Sequence, residues 1–143
     1  MANQIEGVKE RLLACATQEF LENGYADASL RRIAAQAETS TSSIYVRFGD
    51  KAGLFSAIVN EAADRFLRCY QENVERFNQI NAGMPVQEMM EYKKVNMSRL
   101  IDTIYADYDA FRLLFSKAES GAFADFLHKL ADMECKQTER YLN

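Results

Sequence analysis

One proline in 143 residues, at position 85, is the tightest constraint on what this chain can fold into. With only six glycines beside it, the chain has too little turn punctuation for a many-stranded sheet. It has instead apolar residues at helical spacing. Ile5, Val8, Leu12, Ala16 and Phe20 predict a first helix over 5–23, with Asn3 as N-cap and Gly24 as its stop. Tyr25 should then fold apolar surface back onto the last turn. Ser29 caps a short second helix over 30–37, in which Ile33 and Ala37 share a face. Glu38, Thr39 and Ser40 read as a turn, and Ile44 and Phe48 give one buried stripe to a third helix over 41–48. Gly49 breaks the chain and Asp50 caps a long fourth helix over 51–78, with Leu54, Phe55, Ile58, Ala62, Phe66, Cys69 and Tyr70 on its apolar face. A loop around Asn81, Gly83 and Pro85 precedes a helix over 86–105. Asp107 and Asp109 start another that carries Phe111, Leu114 and Phe115, and Ser120 and Gly121 separate it from a last helix over 122–142. The expected fold class is all-α.

Composition narrows the function. Hydrophobic residues at 48% and charged residues at 27% supply enough apolar surface for a packed core. No stretch is apolar and long enough for a membrane span, and the N-terminus lacks an apolar signal core. Cys15, Cys69 and Cys135 are odd in number and far apart, so neither a disulfide framework nor metal spacing is expected. They read as small core residues, and reduced thiols point to a cytoplasmic protein. With one histidine, His128, expected at the surface, and no tryptophan, no nucleophile–base pair or phosphate loop is visible. No catalytic residue, metal or cofactor is therefore expected, and the chain does not read as an enzyme.

The informative unit is the second and third helices. Two short helices joined by a tight turn can cross steeply when a small residue, here Ala34, sits where they meet. That is helix-turn-helix geometry, whose second helix enters the major groove of DNA. The net charge of −4 argues weakly against nucleic acid for the chain as a whole. Locally the sign reverses: over 29–51, Arg31, Arg32, Arg47 and Lys51 against Glu38 and Asp50 give four minus two, or +2. The outward face of the third helix carries Thr41, Ser42, Ser43, Tyr45, Val46 and Arg47. Short side chains allow close approach to base edges, and the phenol and guanidinium can reach phosphate or guanine. Lys51, at the start of the fourth helix, suits a phosphate. The plainer alternative is a solvated polar face.

Residues 10–55 resemble the DNA-binding domain of the TetR family of bacterial transcriptional regulators. The text that carries the likeness is LLACATQEFLENGYADASLRRIAAQA followed by STSSIYVRFGDKAGLF. Its hallmarks stand in order: Gly24-Tyr25, then Arg31-Arg32-Ile33-Ala34, then Tyr45-Val46-Arg47-Phe48, then Lys51-Ala52-Gly53-Leu54. The segment AFRLLFSKAESGAFADFLHKLADME is similar to the middle helices of some family members. One departure is in the turn, where the family's Ala-Gly-Val is Ala37-Glu38-Thr39. A left-handed Glu38 would cost about 1–2 kcal/mol. The other is at the end, where the chain stops after what corresponds to the helix before the family's two pairing helices, and so is expected to be shortened there.

The resemblance implies a helix-turn-helix DNA-binding domain at 1–50 and a helical effector-binding and dimerisation domain at 51–143. It implies that Thr41, Ser42, Ser43, Val46 and Arg47 face bases or adjoining phosphates. Tyr45 and Lys51 would bind phosphate, and Ser29 and Arg31 would contact the backbone or a base. Arg32 is the lesser candidate, since Arg31 holds the commoner contact position. The implied partners are a palindromic DNA duplex and a second copy of the chain, with a small apolar or amphipathic effector that lowers operator affinity. Phe66, Tyr70, Met90, Met97, Tyr105, Phe111 and Phe115 are the candidates to line its pocket; a plain core stripe is the alternative for each. The alternative function is a shortened interaction module that pairs with a full-length regulator without gripping DNA itself.

Overall fold

A computed structural model describes the backbone of residues 2–80, 83–117 and 121–142 and the side chains of 7–80, 83–117 and 121–140. Among these residues the fold is all-α: α1 (Ala2–Asp27), α2 (Leu30–Gln36), α3 (Thr41–Phe48), α4 (Lys51–Ile80), α5 (Val86–Ala106), α6 (Tyr108–Ser116) and α7 (Gly121–Leu142). The first helix is longer at both ends than the expected 5–23, so Asn3 lies inside α1 and is not its cap. The side chains of Asn3 and Ile5, and residues Asn81 and Ser120, lie outside the described set.

The local signals act as their chemistry requires. Gly24 interrupts α1 with φ 75° and ψ 168°, a conformation that side chains with a Cβ avoid. The chain turns there, and the Tyr25 ring stacks on Phe20 at 5.7 Å and meets Phe55 edge-on at 5.3 Å. Ser29 and Ser40 cap α2 and α3 through their hydroxyls, and Asp50 Oδ1 accepts from the Gly53 N–H at 2.7 Å to cap α4. Asp107 precedes α6 but does not cap it with its side chain. Its carboxylate instead accepts two 2.7 Å hydrogen bonds from Arg65, which ties the start of α6 to the middle of α4.

Burial joins the helices into one hydrophobic cluster. Leu12, Ala16 and Phe20 of α1 pack with Ile33 and Ala34 of α2, Ile44 of α3, and Leu54, Phe55 and Ile58 of α4. Farther along α4, Phe66 meets Phe111 of α6 and Phe126 of α7 in edge-to-face contacts at 6.0 and 5.7 Å. Each such apolar side chain contributes about 1.5–3 kcal/mol on leaving water. At 30 residues, α4 is about 45 Å long and packs on α1, α3, α5, α6 and α7. The cysteines differ in part from expectation: Cys15 and Cys69 are partly buried, whereas Cys135 is exposed because it falls on the outer face of α7.

Candidate nucleic-acid interface

α2 and α3 are short, so their orientation depends on what lies beneath them. Ile33, Ala34, Ala37 and Ile44 are buried beneath them. The turn between them is closed by the Glu38 N–H to Ala35 O at 3.2 Å and the Thr39 N–H to Ala34 O at 2.9 Å. Glu38 is left-handed, with φ 55°, the conformation the sequence raised for the place of the family's glycine. It is the one non-glycine residue with positive φ among those described.

The base of α2 is braced by a residue the sequence reading passed over. Glu19 is only 2% exposed, and its Oε1 accepts from Arg32 Nε at 2.9 Å, Arg32 Nη2 at 2.5 Å and the Ser29 N–H at 2.9 Å. The hydrogen bond from Arg32, against the opposing effect of burial, holds the carboxyl below its ordinary pKa. Arg32 also donates to Asp27 O at 3.0 Å. Arg32 is thus occupied inside the fold, and its neighbour Arg31 projects into solvent with no ion pair among the described residues. A signal for Glu19 existed: it shares a face with Leu12, Ala16 and Phe20, where a charge needs a partner.

The other brace is Gly53. A Cβ there would stand 1.8 Å from Phe48 O, so only glycine lets the first turn of α4 approach the end of α3 this closely. Gly53 fixes how α3 leaves the body of the protein.

On that support, α3 presents Ser42, Tyr45, Val46 and Arg47 outward. Tyr45 is 54% and Val46 82% exposed, while Ile44 between them and the core is fully buried. Thr41 is partly exposed at the first turn. Ser43 is partly buried, and its Oγ accepts from Thr39 Oγ1 at 2.9 Å, so one of its lone pairs is already engaged. Ser29 is engaged as the α2 cap. Lys51 departs from the free phosphate-binding group expected. Its Nζ donates to Tyr25 O and Ala26 O, both at 3.1 Å, because the break at Gly24 leaves those carbonyls without helical partners. One of its three donors remains. Lys117 adds a second ammonium over Tyr25, 3.1 Å from the ring centroid.

The seven candidate pocket residues are not brought together around one cavity. Phe111 is in the core and Phe66 packs against it. Met90, Tyr105 and Phe115 are 65%, 69% and 51% exposed. Tyr70 and Met97 alone of the set line the same groove, between α4, α5 and α7. Helical spacing says which side chains share a stripe but not which stripe meets a neighbour, so the cavity could not be read from it.

No helix among the described residues is long and apolar enough to cross a membrane. Residues 12–58 match the family described as bacterial regulatory proteins, tetR family. The HTH-type transcriptional repressor AcnR of Corynebacterium glutamicum is 26% identical over 121 residues, which are 76% of this chain and 64% of that protein. AcnR of Corynebacterium efficiens is 35% identical over 65 residues, 46% of this chain and 35% of that protein. The HTH-type transcriptional regulator UidR of Escherichia coli K12 is 29% identical over 75 residues, 52% of this chain and 38% of that protein. The aligned part spans less than two thirds of the length of each relative. Over 12–58, a helical unit with the expected hydroxyl caps and an exposed third helix, the chain is similar to the tetR family of bacterial regulatory proteins.

Proposed function

We propose that the chain is a DNA-binding transcriptional repressor, with residues 1–50 as the reading head and 51–143 as the regulatory part. A homodimer places two copies of α3 in successive major grooves of a palindromic operator, about 34 Å apart. Ser42, Val46 and Arg47 meet base edges, with Thr41 beside them. Tyr45 and Arg31 hold phosphate, and Ser29 and Ser43 stiffen the helix starts next to the backbone. Lys51 offers its remaining donor to a phosphate while it anchors the turn at Tyr25. A small effector bound among α4–α7 shifts α4 and so the head, which lowers operator affinity. The regulator works in the bacterial cytoplasm, on the nucleoid when bound to DNA.

The observation that carries this reading is the exposed side of α3, polar at Ser42 and Arg47 and open at Val46, held on a buried frame inside the stretch that matches the family. Selection of bound duplexes from a random pool tests it. The expected product is a palindrome with half-sites one helical turn apart, bound with affinity that falls steeply with salt. Recovery of no enriched sequence, or an affinity indifferent to salt, overturns it.

A second reading draws on α5. Val86, Met90, Met97, Ile101 and Tyr105 recur along one exposed side of this helix, each at least 45% exposed. That stripe favours an interaction module that pairs with a full-length regulator. A strict monomer without duplex affinity in gel filtration, with and without DNA, supports the module over the repressor.

A further inference from the structure

We infer that the groove between α4, α5 and α7 is a binding site for a small aromatic carboxylate. The groove encloses about 390 Å³, within the size range of small-molecule sites. Val74 and Phe77 of α4 and Met97 and Leu100 of α5 give it apolar walls. The Phe77 and Tyr92 rings, with centroids 5.8 Å apart and planes tilted by 32°, form an aromatic surface on which a flat ring can lie.

Three donors along this surface lack the partners that a packed seam would give them. The Tyr92 hydroxyl is buried and has no hydrogen-bond partner among the described residues. Buried hydroxyls are nearly always satisfied, and phenylalanine would pack here without the penalty. Asn73 is 8% exposed on the groove side of α4, and among the described residues its amide Nδ2 reaches only Cys69 Sγ, a weak acceptor, at 3.9 Å. Lys93 Nζ stands 5.4 Å from the Phe77 ring centroid and forms no ion pair among the described residues. Glu134 lines the groove at Tyr70, whose hydroxyl donates to it; it keeps its charge, so an anionic head belongs two turns away, at Phe77 and Lys93. Burial, and then Glu134 itself, push the Tyr70 pKa well above its ordinary value, so the phenol remains a donor to that carboxylate. Away from Glu134, the Phe77 end of the groove offers a ring surface, two neutral donors and a cation. The complementary ligand is a planar aromatic body with an anionic acceptor.

This inference gives a chemical class to the effector of the proposed regulator, and rests on that reading only for the effect on DNA. Calorimetric titration of the full chain with 2-naphthoate tests it, with 2-naphthamide and cyclohexanecarboxylate as controls. Saturable binding of naphthoate, weaker by about tenfold for either control, is expected. Tyr92→Phe should weaken naphthoate by about tenfold, the scale of one hydrogen bond to a charged group. Its melting temperature should equal or exceed that of the wild type, whereas a structural hydroxyl would make it fall. Lys93→Met should weaken naphthoate similarly. Absence of saturable binding, an amide as tight as the acid, or naphthoate affinity untouched by Tyr92→Phe overturns the site. Operator affinity, measured separately with and without naphthoate, judges the regulator reading. Naphthoate binding as expected upholds the groove even if no duplex binds.

Discussion

Glu19 and Arg32 join the first helix to the second through a carboxylate that is nearly dry and a guanidinium that is half in water: their side chains are 2% and 53% exposed. The same Glu19 oxygen receives the Ser29 N–H, so one acceptor holds both the start of α2 and the arginine one turn later. The arrangement leaves Arg31, the adjacent residue, directed outward. In this pair of arginines the fold has separated a structural cation from one left free at the surface.

The pair makes stability pH-dependent in a defined direction. Arg32 lowers the folded-state pKa of Glu19 below its unfolded value. The resulting stabilisation is complete above the ordinary range of glutamate, about pH 4–5, and is lost as pH falls through the lower folded-state value. Melting temperature followed by circular dichroism from pH 7 to pH 3 should fall more steeply for the wild type than for Glu19→Gln. Parallel curves would remove Glu19 from the acid-sensitive groups. At neutral pH, Glu19→Gln should already be the less stable of the two.

Glu38 sits at φ 55° where glycine would be at ease. Glu38→Gly should relieve about 1–2 kcal/mol of backbone strain and lose part of it to the greater freedom of the unfolded chain. A net gain of about 1 kcal/mol is expected in urea denaturation. An unchanged midpoint would mean that the turn favours the left-handed state for reasons outside backbone sterics.

Gly53 predicts the opposite sign. An added methyl would meet a carbonyl of Phe48, and backbone cannot step aside as a flexible side chain can. Gly53→Ala should destabilise by about 3 kcal/mol, the upper end of ordinary overpacking. It should also weaken operator binding in whatever fraction remains folded, because α3 must tilt. Ala52→Gly, one residue earlier on an exposed position, is the control and should cost about 1 kcal/mol or less.

Arg47 and Lys51 differ in whether the fold already holds them. Arg47 is exposed, with no hydrogen bond to another described residue, so Arg47→Met should leave the melting temperature unchanged. It should reduce the slope of log affinity against log salt by about one if it holds a phosphate, or relax preference at one base pair if it reads guanine. Lys51 holds two carbonyls at the break in α1. Lys51→Met should lower the melting temperature first and operator affinity with it. Equal stability of the two variants would return Lys51 to a simple phosphate contact.

Much of this architecture was legible in the sequence because it depends on neighbours in the chain. The stop at Gly24, the hydroxyl caps at Ser29 and Ser40, and the stripes through Ile33, Ile44 and Leu54 are all decided within a turn or two. Asp107 shows where local logic ends. It marks the start of α6 as a cap residue should, but Arg65, 42 positions away, draws its carboxylate across to α4. Lys51 repeats the lesson, since the carbonyls it binds belong to residues 25 and 26 positions earlier. Pocket residues were the least legible, because Met90 and Met97 lie on the same helix yet only Met97 meets a facing wall.

By itself, the order of residues determined that the chain is helical, where α2, α3 and the start of α4 lie, and which short helix turns polar side chains outward. Periodicity and capping are short-range effects, and short-range chemistry is written along the chain. Tertiary structure alone decided that Glu19 is a brace, that Gly53 admits no methyl group, and that Tyr92 and Asn73 face one groove. Each of those depends on two helices brought into contact from distant parts of the sequence, where burial sets the worth of every polar group and volume the fate of every side chain.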